Sequence, residues 1–330
     1  MGTIRTLSLG LVVVAVAACS RSKEPEPESA SQPPRPPAPV ISLSSRYARP
    51  GPEHLVAIGD LHGDLDVTRR ALRLAGAIDE KDAWAGGNLV LVQTGDEIDR
   101  GDDDRKIMDL FERLKVEAKK AGGEVLALSG NHEIMNASLD FRYVTPGALT
   151  SFGDTVAVGT LAPRLTSLEE PSRGRAAAFL PGGHYSGLVA TRPLVVRVGD
   201  SVFVHGGVLP KHLRYGLDRI NDEVHDWLLG RRPDCPAVVT SEDGPVWTRM
   251  YSAAPGKEEC TTLQEVLGAM GAKRMVVGHT VQRNGINSAC DGRAWRIDTG
   301  LSKFFGGKLE VLDIRADVVS VRRVETDAGR

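Results

Sequence analysis

Short apolar runs and longer amphipathic runs alternate in the first half of the chain. The apolar runs His54–Gly59, Asn88–Thr94 and Glu124–Leu128 have the length of buried strands. Between them, the apolar residues of Asp64–Ala75 and Asp103–Ala121 recur at helical spacing. This order predicts a βαβαβ unit whose three strands are parallel.

The second half of the chain has a different pattern. Residues 134–186 mix short apolar patches with proline and glycine, which predicts an inserted helical and loop segment that forms one wall of a cleft. The remaining predictions are antiparallel strands over Leu188–Val204 with a turn at Gly199-Asp200, a helix over Leu213–Leu229, a loop over Cys235–Thr262, a helix over Leu263–Gly271, a strand over Arg274–Val277, and β-hairpins over Ala294–Val324 around Gly306-Gly307. An α/β domain over 47–330 is therefore expected.

The first 46 residues lack the pattern of a folded domain. Met1–Ala18 has one charged residue and an apolar stretch too short for a permanent membrane span, as in a cleaved leader. Val16-Ala17-Ala18-Cys19 is similar to a bacterial lipobox, which implies lipidation of Cys19; the alternative is an ordinary signal peptide with an incidental cysteine. Residues 19–46 are rich in Pro, Ser and Glu, which predicts a disordered tether. The chain is therefore expected to be an exported, membrane-anchored lipoprotein of the bacterial cell envelope.

Composition restricts the partners and the compartment. The formal net charge is −2 and no basic helix or Lys/Arg block occurs, so no nucleic-acid partner is expected. Export permits disulfides, and the folded region contains Cys235, Cys260 and Cys290. Cys235 and Cys260 flank one loop-rich segment and are the expected pair; the alternative is three buried thiols.

Side chains that bind metals follow the apolar runs at five places. These segments are Gly59-Asp60-Leu61-His62-Gly63, Gly95-Asp96-Glu97-Ile98-Asp99-Arg100-Gly101, Gly130-Asn131-His132-Glu133, His205-Gly206-Gly207 and Gly278-His279. In α/β sheets, ligands bind in the crevice beyond the carboxyl ends of the strands. The five segments are therefore expected to converge.

The ligand types predict a pair of divalent metal ions. One ion is expected at Asp60, His62 and Asp96, and the other at Asp96, Asn131, His205 and His279. Mixed oxygen and nitrogen ligands suit Mn, Fe or Zn, and a shared Asp96 carboxylate would hold the ions about 3.5–4 Å apart. Such ions would neutralise charge on phosphate oxygens and lower the pKa of a bridging water.

Four further residues are predicted to act on a phosphate ester. His132 follows the ligand Asn131 and could protonate the leaving oxygen, with Asp99 orienting its ring. Arg100 and Arg249 carry planar guanidinium groups that suit two phosphate oxygens, the alternative for each being a structural ion pair.

Other polar residues are given structural roles. Asp102–Asp104 lies at the start of the second helix, where acidic side chains favour the positive end of the helix dipole. Asp64 is expected to cap the first helix rather than to support His62. The remaining histidines are expected at the surface or in the core: His54, His184, His212 and His225.

Taken together, the five segments resemble the calcineurin-like metallophosphoesterases. Asp99-Arg100-Gly101 and Asn131-His132-Glu133 are similar to the triplets of the phosphoprotein phosphatase (PPP) branch, and Ile297–Ser302 and Phe203–Gly207 look most like the bacterial Shewanella-like phosphatases. The resemblance implies an α/β/β/α sandwich with an inserted helical and loop cleft wall. It also implies two divalent ions on the six ligands named above, an acid dyad of His132 and Asp99, and phosphate binding by Arg100 and, on a single short match, Arg249.

The sequence also departs from part of that family. It lacks the Ser-Ala-Pro-Asn-Tyr-Cys loop that eukaryotic members carry after the last metal histidine, and Asp102 stands where proline often follows the triplet. The missing loop puts a serine/threonine preference in doubt. The Shewanella-like relatives imply phosphotyrosine as a serious candidate substrate.

These observations predict a metal-dependent phosphomonoesterase that removes phosphate from phosphotyrosine or phosphoserine/threonine in proteins, by direct attack of a metal-bridging hydroxide. An alternative is that the same centre hydrolyses a small phosphate ester or a dinucleotide polyphosphate. A remote alternative is an inactive tethered binding protein, which the complete set of ligand residues disfavours.

Overall fold

The computed structural model describes residues 41–156 and 159–324. The predicted leader, Cys19 and most of the tether over 19–46 lie outside the described residues, so the lipoprotein expectation stays a prediction. Within the described ranges, no helix has both the length and the apolarity that a bilayer span requires.

The strands of the described chain form one sheet of six strands and one of five. They are β1 (Ala48–Arg49), β2 (His54–Ile58), β3 (Val90–Gln93), β4 (Glu124–Ala127), β5 (Val195–Val198), β6 (Ser201–Val204), β7 (Arg274–Val277), β8 (Asn287–Ala289), β9 (Ala294–Arg296), β10 (Glu310–Arg315) and β11 (Val318–Arg323). The six-stranded sheet has the order β1-β5-β6-β7-β9-β8, and the five-stranded sheet has the order β11-β10-β2-β3-β4.

The helices flank these sheets or lie in the inserted segment. They are α1 (Leu65–Leu74), α2 (Asp104–Lys120), α3 (Asn131–Ala137), α4 (Pro146–Thr150), a 3-10 helix (Gly159–Leu165), α5 (Ser172–Phe179), α6 (His184–Ala190), α7 (Pro210–Tyr215), α8 (Leu217–Leu228), α9 (Ala237–Thr240) and α10 (Lys257–Met270). The described part of 134–186 contains only helices and loops, as predicted.

The alternation of side chains along the strands explains the layers. In β2, Leu55 and Ala57 belong to the apolar layer between the two sheets, whereas Val56 and Ile58 pack with α1 and α2. The other face of the six-stranded sheet packs on a core that includes α8 and α10. The predicted α/β/β/α sandwich is therefore confirmed.

The predicted βαβαβ unit is also confirmed. β2 pairs with β3 and β3 pairs with β4, both in parallel, and α1 and α2 connect them. In the other sheet, β6 and β7 are parallel as well. Asp64 caps α1 by accepting a hydrogen bond from the Val67 amide at 3.2 Å, as expected.

Several predicted boundaries are wrong. Residues 188–190 end helix α6, so the strand predicted from Leu188 begins only at Val195. The helix predicted over Leu213–Leu229 is two helices, because Gly216 takes a positive φ of 100° between them. Helix α10 begins at Lys257 rather than Leu263, and the last hairpin turns at 316–317 rather than at Gly306-Gly307.

The expected disulfide is wrong as well. Cys260 in the first turn of α10 is bonded to Cys290 in the turn between β8 and β9. Among the cysteines that the structure describes, Cys235 remains a thiol and packs against the core around α8. The prediction relied on spacing along the chain, whereas the partner of Cys260 depends on the packing of α10 beside β8 at the edge of the sheet.

Candidate active site

The loops after five strands meet beyond the strand carboxyl ends, as expected. Asp60 and His62 follow β2, and Asp96 follows β3. Asn131 begins the helix after β4, while His205 and His279 follow β6 and β7 of the other sheet. The site therefore takes residues from both sheets.

The structure brings the six predicted ligands together around Asp96. The Nε2 atom of His205 lies 3.2 Å from Asp96 Oδ2 and 2.9 Å from Asn131 Oδ1. His62 Nε2 lies 3.8 Å from Asp96 Oδ2 and 3.9 Å from Asp60 Oδ2. Asp60 joins the last ligand through the His279 amide, which donates to Asp60 Oδ2 at 3.1 Å. All six residues are buried.

Backbone carbonyls orient the three ligand histidines. His205 Nδ1 bonds the Thr94 carbonyl at 2.9 Å, His62 Nδ1 bonds the Ile98 carbonyl at 3.3 Å, and His279 Nε2 bonds the Trp247 carbonyl at 3.0 Å. Because a carbonyl only accepts, each of these nitrogens donates a proton, so the opposite ring nitrogen is the one that can bind a metal. Fixing the tautomer in this way is how proteins prepare a histidine to bind a metal.

The donor set fits divalent ions. Two groups of side chains, His62-Asp96-His132 and Asp96-His205-His279, each bring their ligand atoms within 4.8 Å of one another. The first group contains the predicted proton donor His132 in place of the predicted ligand Asp60, whose Oδ2 lies 3.9 Å from His62 Nε2. Burial, followed by the nearby carboxylates of Asp298 and Asp96, raises the pKa of Asp60 well above its usual range. Burial lowers the pKa of His62 to about 4, so its ring is neutral, the form that binds a metal. Positive ions would relieve the repulsion among these carboxylates.

The backbone at the site is held in an uncommon conformation. Of the ten non-glycine residues with a positive φ in the described chain, five are predicted site residues: His62, Asp96, Asp99, Arg100 and His279. Such residues carry about 1–3 kcal/mol of strain each and persist only where surrounding contacts enforce them. This clustering supports a functional site at these loops.

Glu133 supplies part of that enforcement. Its buried carboxylate accepts hydrogen bonds from the amides of Asp96 at 3.0 Å, Glu97 at 2.9 Å and Gly130 at 2.7 Å. One side chain thereby ties the loop after β3 to the loop after β4. The conformation of the Asp96 loop therefore depends on the third residue of the Asn131-His132-Glu133 triplet.

His132 and Asp99 form the predicted pair. His132 Nδ1 lies 2.6 Å from Asp99 Oδ2, and His132 Nε2 lies 3.8 Å from Asp96 Oδ2. Burial alone would lower the pKa of His132, but the carboxylates of Asp96 and Asp99 outweigh burial and raise it to about 9. The raised pKa favours the protonated ring, which can donate a proton from Nε2.

The two predicted phosphate ligands lie at the rim of the site. The Arg100 guanidinium stacks on the Tyr143 ring at 3.8 Å and on the Phe304 ring at 4.9 Å. Arg249 Nη1 donates to the His279 carbonyl at 2.6 Å and to Thr280 Oγ1 at 2.8 Å. Both arginines therefore lie beside loops that carry metal ligands. Aromatic rings hold Arg100, and hydrogen bonds to His279 and Thr280 hold Arg249.

Sequence reasoning missed several residues that contact the site. Tyr143 and Phe304 gave no pattern that distinguishes them from other aromatic residues. Asp104 was assigned to the helix dipole, whereas its side chain is fully buried beside Asp99. Asn136 lies four residues after His132 on α3, and that helical spacing was the available signal. Arg175 in the inserted segment had no signal at all.

The family of the chain follows from comparison with known proteins. A family model for calcineurin-like phosphoesterases matches residues 54–283. Shewanella-like protein phosphatase 2 of Arabidopsis thaliana is 42% identical over 306 residues, which is 83% of this chain and 78% of that protein. Shewanella-like protein phosphatase 1 of Plasmodium berghei (strain Anka) is 32% identical over 262 residues, which is 76% of this chain and 67% of that protein.

A solved structure shares the fold. The cold-active protein-tyrosine phosphatase of a psychrophilic Shewanella species superposes with a TM-score of 0.66 at 22% identity, covering 84% of this chain and 82% of that one. The chain belongs to the calcineurin-like phosphoesterase family, in the phosphoprotein phosphatase branch that includes the Shewanella-like phosphatases. It is a metal-dependent protein phosphatase.

Proposed function

We propose that this phosphatase removes phosphate from phosphotyrosine in proteins and that it uses two divalent ions, from among Mn, Fe and Zn. The observation that carries the proposal is the position of Asp96, whose carboxylate belongs to both groups of ligand side chains and lies 3.8 Å from His132 Nε2. Tyrosine preference is supported by the rings of Tyr143 and Phe304, which stack on Arg100 at the rim of this buried centre.

The roles of the residues follow from their positions. Asp60, His62 and Asp96 would hold one ion, and Asp96 would share the second ion with Asn131, His205 and His279. When bound, the ions supply positive charge against the phosphate and a more acidic water. His132 Nε2 donates a proton to the leaving oxygen, and Asp99 holds the ring at Nδ1. Arg100 and Arg249 bind the phosphate oxygens.

The lining of the cavity and the burial of the metal ligands favour a long aromatic ester. A cavity of about 500 Å³ lies beside His62 and is lined by Arg100, Thr145 and Phe304. The Phe304 side chain is 57% exposed, whereas Asp96 beneath the rim is only 2% exposed. A phosphotyrosine side chain carries its phosphate farther from the backbone than phosphoserine does, and its ring can stack on Phe304.

The first experiment separates the substrate classes. The Mn-, Fe- and Zn-loaded chain is assayed for phosphate release from a phosphotyrosine peptide, the matched phosphoserine peptide, a dinucleotide polyphosphate and 4-nitrophenyl phosphate. Asp96→Asn should abolish turnover, whereas Asp317→Asn, at a largely exposed carboxylate far along the chain, should not. Turnover of the dinucleotide alone would refute the proposal that proteins are the substrate. Turnover without metal would refute the proposal that the enzyme needs divalent ions.

Phe304 tests the tyrosine preference directly. Phe304→Ala should lower kcat/KM for the phosphotyrosine peptide by about two- to tenfold, because one aromatic stacking contact contributes about 0.5–1.5 kcal/mol beyond its buried area. The phosphoserine peptide should change much less. Val318→Ala, which truncates another exposed apolar side chain, is the matched control. An equal loss on both peptides would refute stacking on the substrate ring.

We also propose that lipidated Cys19 anchors this phosphatase to a membrane of the cell envelope. The support is the sequence Val16-Ala17-Ala18-Cys19 and the tether over 19–46, which would hold the domain away from the bilayer. The chain should incorporate radiolabelled palmitate and fractionate with membranes, and Cys19→Ala should lose both properties. Membrane fractionation of Cys19→Ala would refute lipid anchoring through this cysteine.

A further inference from the structure

A buried arginine of the inserted segment contacts the catalytic pair. Arg175 lies on α5, and none of its side chain is exposed. Its Nη2 donates to Asp99 Oδ1 at 3.0 Å and to Asp104 Oδ2 at 2.7 Å. Its Nε donates to Asn136 Oδ1 at 2.8 Å. Thus one guanidinium joins three polar side chains behind the catalytic pair.

We infer that Arg175 is a positioning residue that holds Asp99, and through it the ring of His132, in the orientation needed to protonate the leaving group. The inference rests on the proposed acid role of His132. Arg175 itself does not face the substrate, and it acts through the second oxygen of Asp99.

The two oxygens of Asp99 have separate partners. Oδ2 bonds His132 Nδ1 at 2.6 Å, while Oδ1 accepts from Arg175 Nη2 and from Asn136 Nδ2, each at 3.0 Å. Donors on Oδ1 fix the plane of the carboxylate. That plane sets the direction of Oδ2, which in turn sets the plane of the His132 ring.

Arg175 also fixes the orientation of the Asn136 amide. Its guanidinium can only donate, so the amide oxygen of Asn136 must face Nε of Arg175. The amide nitrogen then faces Asp99 Oδ1 at 3.0 Å and the His132 carbonyl at 2.9 Å. The donor Arg175 and these two acceptors therefore hold the amide in a single orientation.

Asp104 connects the same arginine to the backbone of Asp99. Asp104 Oδ1 accepts from the Asp99 amide at 3.0 Å, and Oδ2 accepts from Arg175 Nη2 at 2.7 Å. Asp99 has a positive φ of 70°, a conformation that needs such support. Arg175 therefore supports both the side chain and, through Asp104, the main chain of Asp99.

The surroundings of the guanidinium strengthen these bonds. The rings of Phe152 and Phe179 lie 5.1 Å and 4.9 Å from its central carbon. Aromatic walls attract the cation and keep water away, and charge-assisted hydrogen bonds are stronger in such an environment. The inserted segment thus forms a wall of the cleft and also places the positive charge of Arg175 beside the catalytic pair.

The leaving group reveals whether the proton donor is in place. As the P–O bond breaks, its electron pair goes to the leaving oxygen, which takes the proton from His132 Nε2, while water supplies the new oxygen on phosphorus. Phenolate is strongly basic and needs that proton, whereas 4-nitrophenolate is weakly basic and needs it much less. A misplaced acid therefore slows phenyl phosphate more than 4-nitrophenyl phosphate.

The test compares Arg175→Met with wild type on both aryl phosphates. Arg175→Met should lower kcat for phenyl phosphate by about 100-fold and for 4-nitrophenyl phosphate by less than about tenfold, with KM little changed. His132→Asn should show the same discrimination. Arg274→Met, at a buried arginine that bonds Ser201, should leave the ratio of the two rates unchanged. Equal losses on both substrates would overturn the inference.

A second readout does not depend on turnover. In the Zn-loaded protein, the proton between His132 Nδ1 and Asp99 should give a low-field NMR signal that is lost in His132→Asn. Arg175→Met should shift or broaden this signal, and an unchanged signal would overturn the inference even if the enzyme proved inactive on every phosphate ester. If Arg175→Met does not fold, Arg175→Met/Asp104→Asn replaces it in both tests. The second substitution removes the buried Asp104 carboxylate that would otherwise lose its positive partner.

Discussion

Replacement of Gly130 by alanine should disable the metal centre while leaving the fold in place. Gly130 has φ −96° and ψ −171°, an extended conformation that alanine adopts without strain. A Cβ there would lie 2.1 Å from Asp96 Oδ1 and 2.6 Å from the Asp96 amide nitrogen. The substitution therefore acts by direct contact with the carboxylate that both ligand groups share.

The size of the effect follows from that contact. Real Cβ contacts are essentially never under 3.0 Å, so the carboxylate must move by about 0.9 Å or the two loops must separate. Asp96 cannot move freely, because Oδ1 accepts from the His132 amide at 3.0 Å. A displacement of about 1 Å can lower the rate about 100-fold, and overpacking destabilises by about 1–3 kcal/mol.

The assay measures kcat on 4-nitrophenyl phosphate, metal content by mass spectrometry, and thermal unfolding. We expect at least a 100-fold loss of kcat and a lower metal content, with a cooperative transition retained. Gly268→Ala on α10 is the control, because a Cβ there meets nothing within 4 Å and alanine stabilises a helix by about 0.5–1 kcal/mol. Full activity and full metal content in Gly130→Ala would refute the steric reasoning.

Three further predictions concern the rim, the disulfide and pH. Arg249→Lys should raise KM for phosphopeptides about tenfold, since it loses the fork that can bind two phosphate oxygens. Cys260→Ser/Cys290→Ser should lower the free energy of unfolding by about 3–4 kcal/mol in urea titrations and leave kcat unchanged. Burial lowers the pKa of His212 to about 4. The unfolded chain therefore binds the proton first, so acidification from pH 6.5 to 4 should remove up to about 3 kcal/mol of stability through His212. His212→Gln should lack this contribution and keep that of His62, whose pKa is also lowered to about 4.

Each of these predictions has a contradicting result. An unchanged KM in Arg249→Lys would exclude a bidentate phosphate contact. Reduction of the disulfide in wild type should lower the free energy of unfolding by as much as the two serine substitutions do. A smaller loss on reduction would mean that the substitutions themselves damage the fold. His184→Gln, at an exposed histidine, should keep the wild-type dependence of stability on pH. If His212→Gln kept it too, another group would be responsible.

Local sequence determined the elements that carry the metal ligands. Each ligand follows an apolar run whose length and side chains already indicate a strand, as in β2 before Asp60. Strand carboxyl ends are ligand sites for a general topological reason. The local pattern therefore predicted the βαβαβ unit and the six residues that converge beyond the strand ends, whereas the sandwich was implied by the resemblance of the five segments to a known family.

Only the tertiary structure determined which distant residues support that site. Arg175 lies 76 positions from Asp99 and meets it because the insertion packs against the first turn of α2 at Asp104. The partner of Cys260 was likewise set by packing rather than by spacing along the chain. Periodicity reports which face of an element is buried, whereas a contact between two elements depends on how they pack, and no local pattern carries that information.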